Sequence, residues 1–120
     1  MKYAGYDGII VTGRAERPSI VVVDGEGPRL SPARDLWGMT TTACQARLDH
    51  LLGPGYGKVV TGPAGERLST IAGVFSGSRA AGRGGSGAVM GSKNLKAVCI
   101  KGSSHSIQVA DPAEMRKACW

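Results

Sequence analysis

The sequence predicts an α+β domain, mainly β-sheet with packed helices. Three observations lead there. Short β-branched runs are bounded by Gly, Pro and Asp. One stretch carries a clear helical stripe. The chain has 120 residues and 42% hydrophobic content, enough for one domain with a modest core.

In chain order, "DGIIVTG" (7–13) and "SIVVVDGEG" (19–27) read as two strands. "RAERP" separates them, and its Pro18 cannot continue a helix. The Val run of the second strand is continuous rather than alternating, so both of its faces are expected to be covered. Asp24-Gly25 and Gly27-Pro28 then mark a turn. In "TTTACQARLDHLLG" (40–53), Cys44, Leu48, Leu51 and Leu52 fall at i, i+4, i+7 and i+8 of one helix face. Thr42 and Gln45 have the spacing of a capping box, while Gly53-Pro54 ends the helix. His50 reads as a last-turn residue near the negative end of the helix dipole. "KVVTGPAG" (58–65) is a strand entering a Gly-Pro turn, and "LSTIAGVF" (68–75) and "LKAVCIKG" (95–102) are further strands. "SSHSIQV" (103–109) reads as a loop. "DPAEMRKACW" (111–120) opens a helix with Asp111 as N-cap and Pro112 at the first position. A helix of barely two turns is marginal alone, so the chain reads as cut off rather than finished.

Composition narrows the function. The net charge of +6 is spread along the chain, with only six aromatics and no recognised nucleic-acid motif, which argues against a nucleic-acid module. No segment reaches the ~20 apolar residues of a membrane span, and no signal-peptide pattern opens the chain. Cys44, Cys99 and Cys119 are odd in number and form no CxxC or Cys/His grouping. They point to a reducing compartment, with the cytoplasm expected, and to Cys44 and Cys99 as small core residues.

The stretch from Arg79 to Ser92 holds five glycines and two arginines and leads into an apolar run. Gly82, Gly84 and Gly87 satisfy GxGxxG, but residues 105–109, where a Rossmann unit places its ribose-binding acid, contain no carboxylate. Lys93 is misplaced for a Walker A loop. What remains is a glycine-opened helix within "GGSGAVMGSKNL" (84–95), whose first N–H groups could face an anion. Arg79 and Arg83 flank glycines that allow close approach. The competing reading is a tight turn and close helix–strand packing, with both arginines solvated.

"AGYDGIIVTGRAERP" (4–18), "TGPAGERL" (61–68) and above all "RAAGRGGSGAVMGSKNLKAV" (79–98) closely resemble the N-terminal domain of the tungsten-containing aldehyde ferredoxin oxidoreductases. The likeness runs from about residue 2 to residue 111. It implies that residues 1–120 are part of a cofactor-binding base built largely of two layered β-sheets. On such a base sits a tungsten or molybdenum ion held by two pterin dithiolenes, with a magnesium bridging their phosphates. By resemblance, Arg79, Gly82 and Arg83 contact the pterin, and the Ala80 backbone carbonyl is a magnesium ligand, as suits a hard cation.

The resemblance also implies the activity and partners of a parent enzyme. Aldehydes are oxidised to carboxylic acids, and electrons pass through a four-iron cluster to ferredoxin. The remaining domains close over the cofactor, and a homo-oligomer is possible. None of the three cysteines matches a cluster ligand, and no residue here is a candidate for catalysis at substrate. Ser86 stands where the family usually has an apolar residue. An earlier glycine segment of the family domain would precede this chain, and the cluster cysteines would follow it. A non-catalytic truncated remnant is the alternative, and a basic nucleotide- or nucleic-acid-binding module a weaker one.

Overall fold

The computed structural model describes residues 1–103 and 108–119; the rest of the expected 103–109 loop lies outside them. The elements are β1 (Ser19–Asp24), β2 (Gly27–Pro32), α1 (Thr41–Leu52), β3 (Tyr56–Thr61), α2 (Pro63–Glu66), β4 (Val74–Ser76), β5 (Arg79–Ala81), α3 (Ser86–Ser92), β6 (Leu95–Lys101) and α4 (Pro112–Ala118). The six strands form one mixed sheet in the order β2-β1-β6-β3-β4-β5. Only the β1–β6 pair is parallel. The α+β class holds, with one sheet formed among the described residues.

α1 lies on one face of this sheet. Cys44 and Leu48 pack with Ile20, Val22, Val60, Ala97, Cys99 and Leu36 into the core. The helical stripe is therefore real, although Leu51 stays exposed. The N-cap is Thr40, whose side chain accepts from the Ala43 N–H; the Thr42/Gln45 capping box does not form. Gly53, at φ 77°, ends the helix as expected. Burial pushes the Cys99 thiol up to about 12 and raises that of Cys44, which suits core residues rather than reactive thiolates.

Three sequence expectations change. "DGIIVTG" forms no strand, and Ile10 is 92% exposed. β1, the strand this run leads into, already has both edges taken by β2 and β6. "GPRLSP" is instead a strand, β2, closing a hairpin on β1. Asp24 pins that hairpin end. It accepts two bonds from Arg29 (2.7 and 2.8 Å) and one from the Tyr56 hydroxyl (2.7 Å), and the Arg29 guanidinium holds its carboxyl well below the usual carboxylate range. "LSTIAGVF" supplies only Val74 and Phe75 of the three-residue β4, and the expected Gly-Pro turn folds as the single turn α2 with Gly62 as its N-cap. Leu68 adopts φ 62°, so the chain leaves α2 sharply and Ile71 points outward. α4 begins as expected, with Asp111 accepting from the Ala113 and Glu114 N–H groups.

The face of the sheet away from α1 is less covered. Register places Leu30, Val21, Val98 and Val59 side by side on β2, β1, β6 and β3. Leu30 and Val59 are exposed. A row of aliphatic side chains across four strands is surface that another layer ordinarily buries. The isolated chain is therefore expected to self-associate when purified. Light scattering should report oligomers, and replacing Leu30 and Val59 by Ser should shift them toward monomer. A monomeric wild-type sample with a sharp thermal transition would contradict this.

Candidate functional site

The glycine-arginine segment starts in a two-residue hairpin. Ser76 and Arg79 flank the turn, and Gly77 at φ 57° supplies the positive φ that the first central position of a type II′ turn requires. α1 clamps this turn from the side. Gln45 accepts from the Gly77 N–H (2.6 Å) and donates to its carbonyl (3.4 Å), a role its place in the sequence did not suggest.

The hairpin decides where the predicted site residues point. Ser76 and Arg79 close the turn as a hydrogen-bonded pair. The next pair, Phe75 and Ala80, is then of the non-bonded kind, and Ala80 turns its carbonyl toward the free edge of β5, the last strand of the sheet. Arg79 and Ala81 lie on the more open face, where with Val59 and Val74 they line a shallow depression of about 280 Å³. Arg79, Ala80, Gly82 and Arg83 are all exposed. Among the described residues, neither arginine forms an ion pair or a side-chain hydrogen bond.

The glycines divide into two kinds. A Cβ at Gly82 would meet no atom within 4 Å, and Gly82 has no positive φ, so nothing inside the chain requires glycine there. Gly85, Gly87 and Gly91 are different. A Cβ at Gly85 would lie 2.7 Å from the Thr70 carbonyl oxygen, one at Gly87 2.4 Å from that of Gly73, and one at Gly91 1.9 Å from that of Gly65. In return, a Cβ at Gly65 would lie 2.5 Å from the Gly87 carbonyl oxygen. α3 thus sits on α2 and the Thr70–Gly73 turn backbone against backbone. "TGPAGERL" and "GGSGAVMGS" are two halves of one contact.

This packing corrects the anion-site expectation for α3. The Gly87 N–H donates inward to the Ala72 carbonyl (2.9 Å), and Ser86 Oγ donates to the Ala81 carbonyl (3.2 Å). α3 has only seven residues, and its start is spent holding the preceding loop. The tight-packing reading holds for α3. The stretch from Arg79 to Gly84, β5 and the turn that follows it, remains the exposed, cationic part.

Beneath this contact is a buried ion pair that the sequence reading missed. Lys96 Nζ lies 2.5 Å from Glu66 Oε1, and the two side chains are 0% and 5% exposed. Lys96 also donates to the Met39 carbonyl (2.8 Å), and Glu66 accepts from the Gly38 N–H (2.8 and 3.0 Å). Every donor bond named here ends on a defined acceptor, as burial of charge requires.

The family model for the aldehyde ferredoxin oxidoreductase N-terminal domain matches residues 1–102. The chain belongs to this family. It is 42% identical over 113 residues to a tungsten-containing aldehyde ferredoxin oxidoreductase of Pyrococcus furiosus, covering 92% of this chain and 18% of that protein. It is also 35% identical over 130 residues to an aliphatic sulfonate oxidoreductase, WOR-like subunit, of the same organism, covering 97% of this chain and 21% of the relative. Its fold superposes with a TM-score of 0.92 and 34% identity on the active site complex BamBC of benzoyl coenzyme A reductase, covering 98% of this chain and 18% of that one. The chain therefore spans about a fifth of the length of these relatives.

Within this family domain, the Gln45 clamp should govern the order of the β4–β5 turn. Gln45→Ala is expected to speed hydrogen exchange at Gly77 about fivefold or more, in line with losing a bond worth about 1 kcal/mol. Unchanged exchange would show that the turn holds itself.

Proposed function

We propose that this chain is part of the cofactor-binding base of an oxidoreductase that oxidises aldehydes to carboxylic acids with ferredoxin as electron acceptor. The observation that carries this reading is the cluster at the end of the sheet. Two unpaired guanidinium groups, Arg79 and Arg83, flank a carbonyl aimed at a free edge and a glycine with open space before it. Such a donor set fits a phosphate-bearing ligand with a hard cation. Guanidinium forks take phosphate oxygens, and a backbone carbonyl suits magnesium.

In this reading Arg79, Gly82 and Arg83 would hold the pterin, and the Ala80 carbonyl would be a ligand to a magnesium ion bound with its phosphate. The bound tungsten or molybdenum bis-pterin supplies the redox chemistry; the protein binds it and orients it. The four-iron cluster, the catalytic groups at substrate and the ferredoxin surface belong to the remaining domains of the full-length enzyme. The names of the sulfonate and benzoyl coenzyme A relatives favour a second reading, in which the same base serves a substrate other than an aldehyde.

The test is cofactor retention in a complete enzyme carrying this segment. Arg79→Ala should remove a charge-assisted contact worth about 1.5–3 kcal/mol, about a tenfold to hundredfold loss of retention. Arg14→Ala, whose side chain makes only a 3.5 Å contact with Asn94, serves as the control and should keep cofactor. Metal and pterin per folded protein after dialysis give the readout. Full retention by the Arg79 variant would contradict the proposal.

A further inference from the structure

Glu66 and Lys96 lie away from the exposed loop, yet both are joined to the helix that follows it. Glu66 faces two ways. Its Cα is against α3, where a Cβ on Gly91 would come within 3.0 Å of it. Its carboxylate points the other way, to Lys96 and to the Gly38 N–H. Lys96 follows directly from the end of α3. Asn94, at φ 54°, breaks the helix with its N–H on the Gly91 carbonyl, and the chain enters β6 at Leu95. The pair thus closes a ring around α3, from the helix beneath it to the strand leaving it.

The strand is distorted at this point. Ser19 pairs with Leu95 and Ile20 with Ala97, so Lys96 is the extra residue of a bulge in the β1–β6 ladder. Ala97 belongs to the core on the α1 side, and Lys96 reaches the Met39 carbonyl on that same side. Regular alternation would send two consecutive side chains to opposite faces. The bulge is what turns Lys96 inward, and bulges re-aim side chains in this way.

We infer that Glu66 and Lys96 are positioning residues for the cofactor segment. Their pair fixes α2 under α3. α3 fixes the Arg79–Gly84 segment directly through the Ser86–Ala81 bond, and indirectly through the Gly87–Ala72 bond, because the adjoining Gly73 packs against the backbone of Ala81 and Gly82. The inference rests on the function proposed above for Arg79. A buried ion pair is weak as a source of stability but can fix one arrangement of packed elements. Here the packed elements touch through backbone atoms, with no side chains between them to absorb a shift. A displacement of α2 therefore reaches the loop undamped.

The experiment uses a complete enzyme carrying these residues, with Arg79→Ala alongside. Glu66→Asp keeps the charge pair but shortens the reach by one methylene; Glu66→Gln removes the charge; Glu66→Gln/Lys96→Gln makes both partners neutral. Tungsten and pterin per folded protein, the rate of tungsten release and the thermal midpoint are measured for each. The expected result is release about threefold faster for Glu66→Asp and about tenfold faster for Glu66→Gln, at temperatures where circular dichroism shows both folded. The double variant should release no faster than Glu66→Gln. If Glu66→Asp folds and releases tungsten at the wild-type rate while Arg79→Ala loses it, the positioning role is overturned and the pair is merely structural. If Arg79→Ala itself keeps its cofactor, the function proposed for the loop fails, and the positioning role falls with it. Should Glu66→Gln not fold, the Glu66→Asp release rate alone decides.

Discussion

The backbone contact between α2 and α3 is the constraint on which the rest of this domain depends. Gly65, Gly87 and Gly91 bring two helices closer than any side chain would allow. Glycine within a helix costs roughly 1 kcal/mol relative to alanine, and α3 carries it at two of its seven positions. That cost is offset by what the contact positions. α3 can lie flat over the end of β3, where Thr61 Oγ1 donates to the Gly87 carbonyl (3.2 Å). The loop before α3 is delivered to the edge of the sheet with its arginines unpaired.

The buried pair under this contact serves another physical end. Losing one partner of such a pair commonly costs about 3–5 kcal/mol, whereas an apolar replacement of both can be neutral. Its value to the domain is therefore not as a source of stability. Because Lys96 sits on a bulge and Glu66 at the end of a one-turn helix, each would be poorly fixed alone. Together with the adjacent Gly38 and Met39 they join three separate stretches of chain at one point. The Asp24 cluster at the far end of the sheet does similar work in solvent, holding β2 and β3 to the same carboxylate.

Much of this architecture was legible in the sequence, and the failures have a common cause. α1, β1, β3, β6 and α4 announced themselves through local periodicity, a continuous Val run or a capping residue. The misreadings came where tertiary partners decide. "DGIIVTG" has strand composition but pairs with neither edge of the sheet, and its neighbour β1 is already flanked on both sides. "GPRLSP" has turn composition but pairs with β1 because the Asp24–Gly27 turn returns it. "LSTIAGVF" is broken because α3 needs the Ala72 carbonyl. At the site, the arginines and the glycine cluster could be recognised as a unit. The division of those glycines into packing and open positions could not, since it depends on which backbone passes beside each one. Lys96 gave no signal at all. In an apolar strand it reads as a solvent-facing lysine, and only the bulge reveals its direction.

The division of the glycines gives the most direct measurement. In a complete enzyme carrying this segment, Gly82→Val and Gly91→Ala are compared for thermal stability and for metal and pterin content per folded protein. Gly82→Val adds a branched side chain where the chain itself has free space, so stability should be unchanged while cofactor content falls at least tenfold. Gly91→Ala adds one methyl against the Gly65 carbonyl and should lower stability by about 1–3 kcal/mol, as overpacking does. A Gly82→Val enzyme that is folded and fully loaded with cofactor would contradict the assignment of this loop as a place where a ligand approaches the backbone.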